Sequence, residues 1–156
     1  YKITFLTIIK KENSAVNAVY YPVSIEDLIK TDRRERGYCR VKVEGKDLSF
    51  YGKKIKTENK NFWVYAANPG KIKKPSNSHP IVQSYVDLFI GGCFQIKERY
   101  KINEFPKQCV ETTTEWSKHW VNDRVHARRP FLVPNFYKID KLLSNFFDYY
   151  LDNKYQ

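Results

Sequence analysis

The sequence predicts an α+β protein. Strand-like segments and one helix fill the first half, helical patterns fill the second, and strands and helices do not alternate along the chain. At 156 residues, 42% of them apolar and 16% aromatic, the chain is long enough to bury roughly 70% of its unfolded surface as one domain. That aromatic content argues against disorder despite a mean hydropathy of −0.64. A core of about residues 1–75 and a helical extension of about residues 79–156 meet at a polar connector, Lys71 to Pro80, rich in Lys, Pro, Ser and Asn.

The elements follow in order. Residues 2–10 are β-branched and aromatic and read as a strand, Glu12-Asn13-Ser14 as a turn, and Ala15 to Val23 as a second strand. Ser24 then caps a helix, with Asp27 where a capping box wants Glu or Gln. Ile25, Leu28 and Ile29 have helical apolar spacing, and Gly37 is placed to end this helix. Tyr38 to Val43 alternates as a strand, and Glu44 to Asp47 is a turn. Leu48 to Ile55 and Phe62 to Ala67 read as further strands, and Asn68-Pro69-Gly70 ends the run. In the second half, Ile81 to Ile90 reads as a helix stopped by Gly91-Gly92. Phe105 to Trp120 reads as another, with Pro106 at its start. Phe136 to Tyr150 is the last, with Ile139, Leu142, Leu143, Phe146 and Phe147 on one side.

Several function classes are excluded or disfavoured. No apolar run approaches the roughly 20 residues of a membrane span. ITFLTII is too short for a signal peptide and lacks a cleavage site. The chain has no Met, and Tyr1 is too bulky to follow methionine removal, so further residues are expected upstream. Cys39, Cys93 and Cys109 are odd in number and show no CxxC or Cys/His ligand spacing. Free thiols in a reducing, cytoplasmic setting are therefore expected, without a disulfide framework or a zinc site. His79, His119 and His126 lack metal-ligand spacing, so no metal is expected. There is no P-loop, GxGxxG, GxSxG or HExxH motif. Cys93, after the paired glycines, reads first as a small buried hydrophobe and second as a nucleophile.

The formal charge is +11, from 28 Lys and Arg against 17 Asp and Glu. Such an excess suits nucleic acid or anionic substrates. The basic groups are scattered and mixed in sign, which describes a solvated surface. Nucleic-acid binding through Arg128, Arg129, Phe131, Lys53 and Lys54 ranks last, because no RNP, KH or helix-turn-helix signature accompanies them.

The most informative stretch is Ala18 to Val43, in which an apolar segment leads to a capped helix ending in Asp32-Arg33-Arg34-Glu35-Arg36-Gly37-Tyr38, then to an alternating strand. It resembles the gamma-glutamylcyclotransferase family, whose members carry a strand, a short helix of "xxLDxxEG" type and a Tyr-bearing strand. Leu28, Asp32, Glu35, Gly37 and Tyr38 match or nearly match, with Arg36 displacing Gly37 by one place. Phe62 to Asn68 looks like the family's next strand, so the resemblance covers about residues 15–70. From His79 to Phe131, Gln83-Ser84-Tyr85 and Trp120-Val121-Asn122-Asp123-Arg124 look like the helical tail of some cyclotransferase-like proteins.

The resemblance implies a small mixed β-barrel with a helix after its second strand. It also implies an enzyme of the transferase/lyase type that cyclises a gamma-glutamyl amine or peptide to 5-oxoproline and releases the amine. No metal or redox cofactor is needed, and the partner is a small anionic gamma-glutamyl substrate. The catalytic glutamate maps to Glu35. The family's Tyr-Gly-Ser loop, which holds the substrate carboxylate, has no counterpart in this sequence and would lie before Tyr1. The chemistry needs only one carboxylate: the α-amine attacks its own γ-carbonyl, and a glutamate can take the ammonium proton and return it to the leaving nitrogen.

Each candidate also has a plainer reading. Glu35 in an Arg-rich helix end is commonly a surface ion-pair partner. Tyr38 either positions substrate or packs as a strand residue. Asn122 and Arg124 are candidates for substrate binding, Arg124 through a bidentate carboxylate contact, or they form a turn with an Asp–Arg pair. Trp116, Trp120 and Phe131 read as core rather than as a stacking platform. A non-catalytic relative binding a ligand or a protein on the same fold is the alternative function.

Overall fold

The structure, a computed structural model, describes residues 2–52, 55–129 and 133–150. It is mixed α and β, with four helices and two small sheets among the described residues. Two compact units form. The first gathers Tyr1–Phe5, Ser14–Val19 and Lys74–Gln156, and the second Leu6–Asn13 and Tyr20–Lys73.

In the second unit, α1 spans Ile25–Arg34. Ser24 Oγ accepts from Asp27 N–H at 3.0 Å, so the cap lies where the sequence put it. The helix ends earlier than expected: Glu35 is the C-cap, its N–H on Thr31 O, and Tyr38 N–H then closes a turn on Glu35 O at 2.9 Å. Gly37 keeps an ordinary negative φ and is not the left-handed terminator. Strands β1 (Tyr38–Val43) and β2 (Phe62–Ala67) pair antiparallel, from Tyr38↔Ala67 to Val43↔Phe62. Both ranges agree with the alternating and aromatic runs in the sequence.

The other expected strands of this region do not form. Residues 2–10 and 15–23 lie outside any strand, although Glu12-Asn13 does turn, with Asn13 at φ 52°. Their β-branched composition finds no neighbouring strand to pair with, and β-propensity without a partner gives no ladder. Between Leu48 and Ile55 the described residues likewise form no strand, and Gly52 at φ 78° bends the chain. Lys53 and Lys54 lie outside the described residues. Neither sheet closes into a barrel among the described residues. The apolar spacing of α1 is also left uncovered, with Ile25 80% exposed.

The core belongs to the first unit. Strand β3 (Ile81–Val82) pairs parallel with β4 (Trp120–Val121), and β3 runs directly into α2 (Gln83–Tyr100). Helices α3 (Phe105–Thr112) and α4 (Phe136–Ser144) complete the layer. Val86, Ile90, Val110, Ile139 and Leu143 are buried, with Leu142, Phe146 and Phe147 packed against them. The apolar side read from the last helix is thus its core side, though α4 stops at Ser144 and a separate turn, Asp148–Tyr150, follows.

Two further helix boundaries need correction. Gly91-Gly92 does not stop α2, which runs on to Tyr100 and ends at Lys101 with φ 59°. Each mid-helix glycine costs about 1 kcal/mol, less than burial of Val86, Ile90 and Cys93 contributes. A side chain at Gly91 would meet Val133 Cγ1 at 2.9 Å, so a helix neighbour without a Cβ is what that approach requires. The second correction is α3, which ends at Thr112, with Pro106 in its first turn as expected. Thr113 turns extended and Glu115 sits at φ 63°, so Trp120 arrives in a strand rather than a helix.

Among the described residues no helix is long and apolar enough to cross a membrane. Leu143 is fully buried in the core. Leu143→Ala is expected to lower the unfolding free energy by about 2–5 kcal/mol, read as a lower urea midpoint.

Candidate functional site

Asp32 and Glu35 lie three residues apart near the C-terminal end of α1, which puts them on neighbouring positions of one helix face. The hairpin presents Tyr38, Arg40 and Lys42 opposite Ala67, Tyr65 and Trp63, all on one sheet face. Tyr65 Oη donates to Asp32 Oδ1 at 2.7 Å, and Arg40 Nη1 lies 3.3 Å from Asp32 Oδ2. Arg40 also sits over the Trp63 ring at 4.8 Å. Glu35 is partly covered, with its side chain 27% exposed, and Arg34 Nε reaches its Oε1 at 3.0 Å. Lost hydration first, then the Asp32 hydrogen bond and the charges of Asp32 and Glu35, raise the Tyr65 phenol above its ordinary pKa. The result is two carboxylates, a phenol held protonated and two guanidiniums, Arg40 on Asp32 and the more exposed Arg34 on Glu35.

Asn122 and Arg124 belong to the first unit, whereas Glu35 and Tyr38 belong to the second. Asn122 Oδ1 accepts from Arg124 N–H at 3.3 Å, closing a local turn. Arg124 is already engaged. Its Nε and Nη2 donate to Asp87 at 2.7 Å each, and its Nη1 and Nη2 donate to Asp140 at 3.0 and 2.7 Å. Burial opposes its charge, but the bonds to Asp87 and Asp140 outweigh that and keep the guanidinium protonated. The expected bidentate hold on a substrate carboxylate is therefore replaced by two internal forks. The Asp–Arg pairing that the sequence allowed is real, but its acids are Asp87 and Asp140 rather than the adjacent Asp123.

The network extends both ways. Trp120 Nε1 donates to Gln83 Oε1 at 3.0 Å, and Gln83 Nε2 donates to Asp87 at 2.8 Å. At the far end Tyr150 Oη donates to Asp140 at 2.6 Å. Burial first, then the Asp140 bond, push the Tyr150 phenol well above its usual value. Asp123 has its own task. Its carboxylate accepts from Ser84 N–H at 2.7 Å, Ser84 Oγ at 2.6 Å and Arg128 N–H at 2.8 Å, capping the start of α2 from outside the helix.

The remaining candidates are structural. Cys93 is buried, and its hydrogen bond with Cys109, together with burial, pushes its thiol up, which suits a packed hydrophobe and not a nucleophile. Trp116 and Trp120 stack at 5.5 Å on the core, while Phe131 lies outside the described residues. Among the described residues no group of three His, Cys, Asp or Glu is placed to hold a metal ion.

Compared with protein families, with curated proteins and with solved structures, the chain gives no match. Sequence reasoning missed Asp32, Arg40 and Tyr65 as neighbours of Glu35, and Asp87, Asp140 and Tyr150 as partners of Arg124. A usable signal existed for Asp87: Gln83, Ser84 and Asp87 put polar groups on a helix otherwise read as apolar.

The buried triad sets two expectations. Asp87→Ala leaves Arg124 with one partner and is expected to cost about 3–5 kcal/mol of stability, measured by denaturant unfolding. The Tyr150 phenol has a higher pKa folded than unfolded. Its contribution to stability is complete below the unfolded value of about 10 and is lost as the pH rises above it. Tyr150→Phe is expected to flatten the alkaline limb of the stability profile, followed by circular dichroism melts at rising pH.

Proposed function

We propose that this chain is a gamma-glutamylcyclotransferase-type enzyme acting on a small anionic gamma-glutamyl amine or peptide in the cytoplasm. Glu35 is its general acid and base, on a fold of the cyclotransferase kind. The observation that carries the reading is the placement of Glu35, at the end of a capped helix that leads straight into the Tyr38 strand and beside the Asp32–Tyr65–Arg40 cluster. The resemblance implied that order of elements around its catalytic glutamate.

In this reading the substrate's α-ammonium gives a proton to Glu35. The freed amine forms a bond to the γ-carbonyl carbon. The bond from that carbon to the leaving nitrogen then breaks as Glu35 returns the proton to it, and the second proton of the attacking nitrogen passes to the released amine, giving 5-oxoproline and an ammonium. Holding both ends of one molecule in place can contribute roughly 7–11 kcal/mol. Arg40 takes the carboxylate-binding part first assigned to Arg124, because the Arg124 forks are filled. Tyr38 shares the Arg40 face of the hairpin and lines the same approach.

The Arg34–Glu35 contact at 3.0 Å favours a second reading, in which Glu35 is an ion-pair partner and the chain is a non-catalytic, ligand-binding relative.

The deciding experiment measures 5-oxoproline release by the full-length protein across gamma-glutamyl amino acids, peptides and amines. Turnover is expected, and Glu35→Gln is expected to lower it by about 10²–10⁴-fold with the fold intact. Absence of release from every substrate would move the weight to the binding role. Turnover that survives Glu35→Gln would remove Glu35 as the base.

A further inference from the structure

The first unit carries two arginines only five positions apart in opposite circumstances. Arg124 is neutralised by two aspartates, while Arg129 has no carboxylate within ion-pairing distance among the described residues. Its Nε is buried without a hydrogen-bond partner. An orphaned donor on a charged group costs more than an exposed one, so such a group is kept where something else meets it.

The surroundings of Arg129 are built. Its N–H donates to Ser84 Oγ at 3.2 Å, and the N–H of Arg128 donates to Asp123 Oδ2 at 2.8 Å, so the Ser84–Asp123 pair fixes the backbone of both residues. The guanidinium of Arg129 lies 5.5 Å from the Phe5 ring centre and 5.6 Å from that of Tyr85, and these rings meet edge-on. Across from them, the segment at residues 2–5 is tied to the connector. Thr4 N–H donates to Pro80 O at 3.0 Å, and Thr4 Oγ1 donates to His79 O at 2.6 Å. Between these walls opens a cleft of about 470 Å³ lined by Lys2, Ile3, Phe5, His79, Arg128 and Arg129. Among the described residues no carboxylate lines it.

We propose that this cleft binds a nucleotide, with the phosphate on Arg128, Arg129 and Lys2 and the base against Phe5. Arg129, with no carboxylate partner among the described residues, and Lys2 together match a dianion better than a singly charged carboxylate, Arg128 stands beside them, and the planar arginine fork matches phosphate oxygens. Phe5 is 48% exposed beside those charges, and an aromatic ring next to a phosphate-binding group is the arrangement on which bases stack. The volume falls in the range of small-ligand pockets, roughly 300–1,000 Å³. A free mononucleotide therefore fits, and one nucleotide of a single strand shares its chemistry. Its lining residues all belong to the first unit and share none with the Glu35 cluster, so the proposal does not depend on the proposed reaction.

Isothermal titration of the full-length protein tests it with a ribonucleoside 5′-monophosphate, the parent nucleoside, inorganic phosphate and a short single-stranded oligonucleotide. The monophosphate is expected to bind at least about tenfold more tightly than the nucleoside or inorganic phosphate, and more weakly as salt rises. Arg129→Gln and Phe5→Leu are each expected to lower the affinity about tenfold or more. The surface double variant Lys2→Gln, Arg128→Gln is expected to do the same without disturbing the packed Arg129, and melting curves report whether each variant folds. Tighter binding of the oligonucleotide, with a steeper salt dependence, would support the same phosphate and base contacts and name a strand as their source. Equal binding of inorganic phosphate, equal binding of the nucleoside, binding unchanged in the folded double variant, or no binding at all would overturn the proposal.

Discussion

The first unit depends on one buried charge cluster. Arg124 meets Asp87 on α2 and Asp140 on α4, and Tyr150 completes the set from the turn beyond. Taking these ions out of water costs several kcal/mol per ion, and their attraction offsets that cost only because each oxygen and nitrogen meets a partner in good geometry. In other proteins, buried ion clusters replaced by apolar residues of similar volume often leave stability unchanged or raised. What the ions add is register: the forks accept one rotation of α2 against α4 and one position of the turn at Arg124–His126. Gln83 and Trp120 extend the same demand to the parallel strand pair at the edge of the core.

The second unit is held differently. None of its described residues is fully buried. Six residues of β1 pair with six of β2, and the Asp32 carboxylate ties α1 to that hairpin through Tyr65 and Arg40. Few buried apolar contacts and many exposed groups mark a region of low local stability. The proposed chemistry therefore sits on the softer unit, where the polar links themselves decide where Glu35 lies.

The legible parts of the fold were those where local pattern and tertiary role agree. Tyr38 to Val43 alternates and Phe62 to Ala67 is β-branched and aromatic, and both are strands. Ser24 caps its helix, and the Ile139–Leu143 stripe is buried. The illegible parts were those where a distant partner decides. Residues 15–23 read as a strand but lack a neighbour to pair with. Gly91-Gly92 reads as a stop, yet Val133 arrives from 42 residues on and makes Gly91 a packing position. Arg124 was visible as a charged residue in a polar cluster. That its forks were filled depended on Asp87 and Asp140, 37 residues before and 16 after, which no local pattern could bring together.

The three thiols are unequally placed. Cys93 and Cys109 are buried against one another in the core of the first unit, while Cys39 stands exposed on β1, on the face of the hairpin away from Arg40 and Tyr65. A maleimide fluorophore or a nitroxide added to the native chain would thus attach at Cys39 without any engineered cysteine. It would report on the hairpin that carries the Asp32 link while leaving the polar face unmodified. The sequence comes with its own spectroscopic handle on its less rigid half.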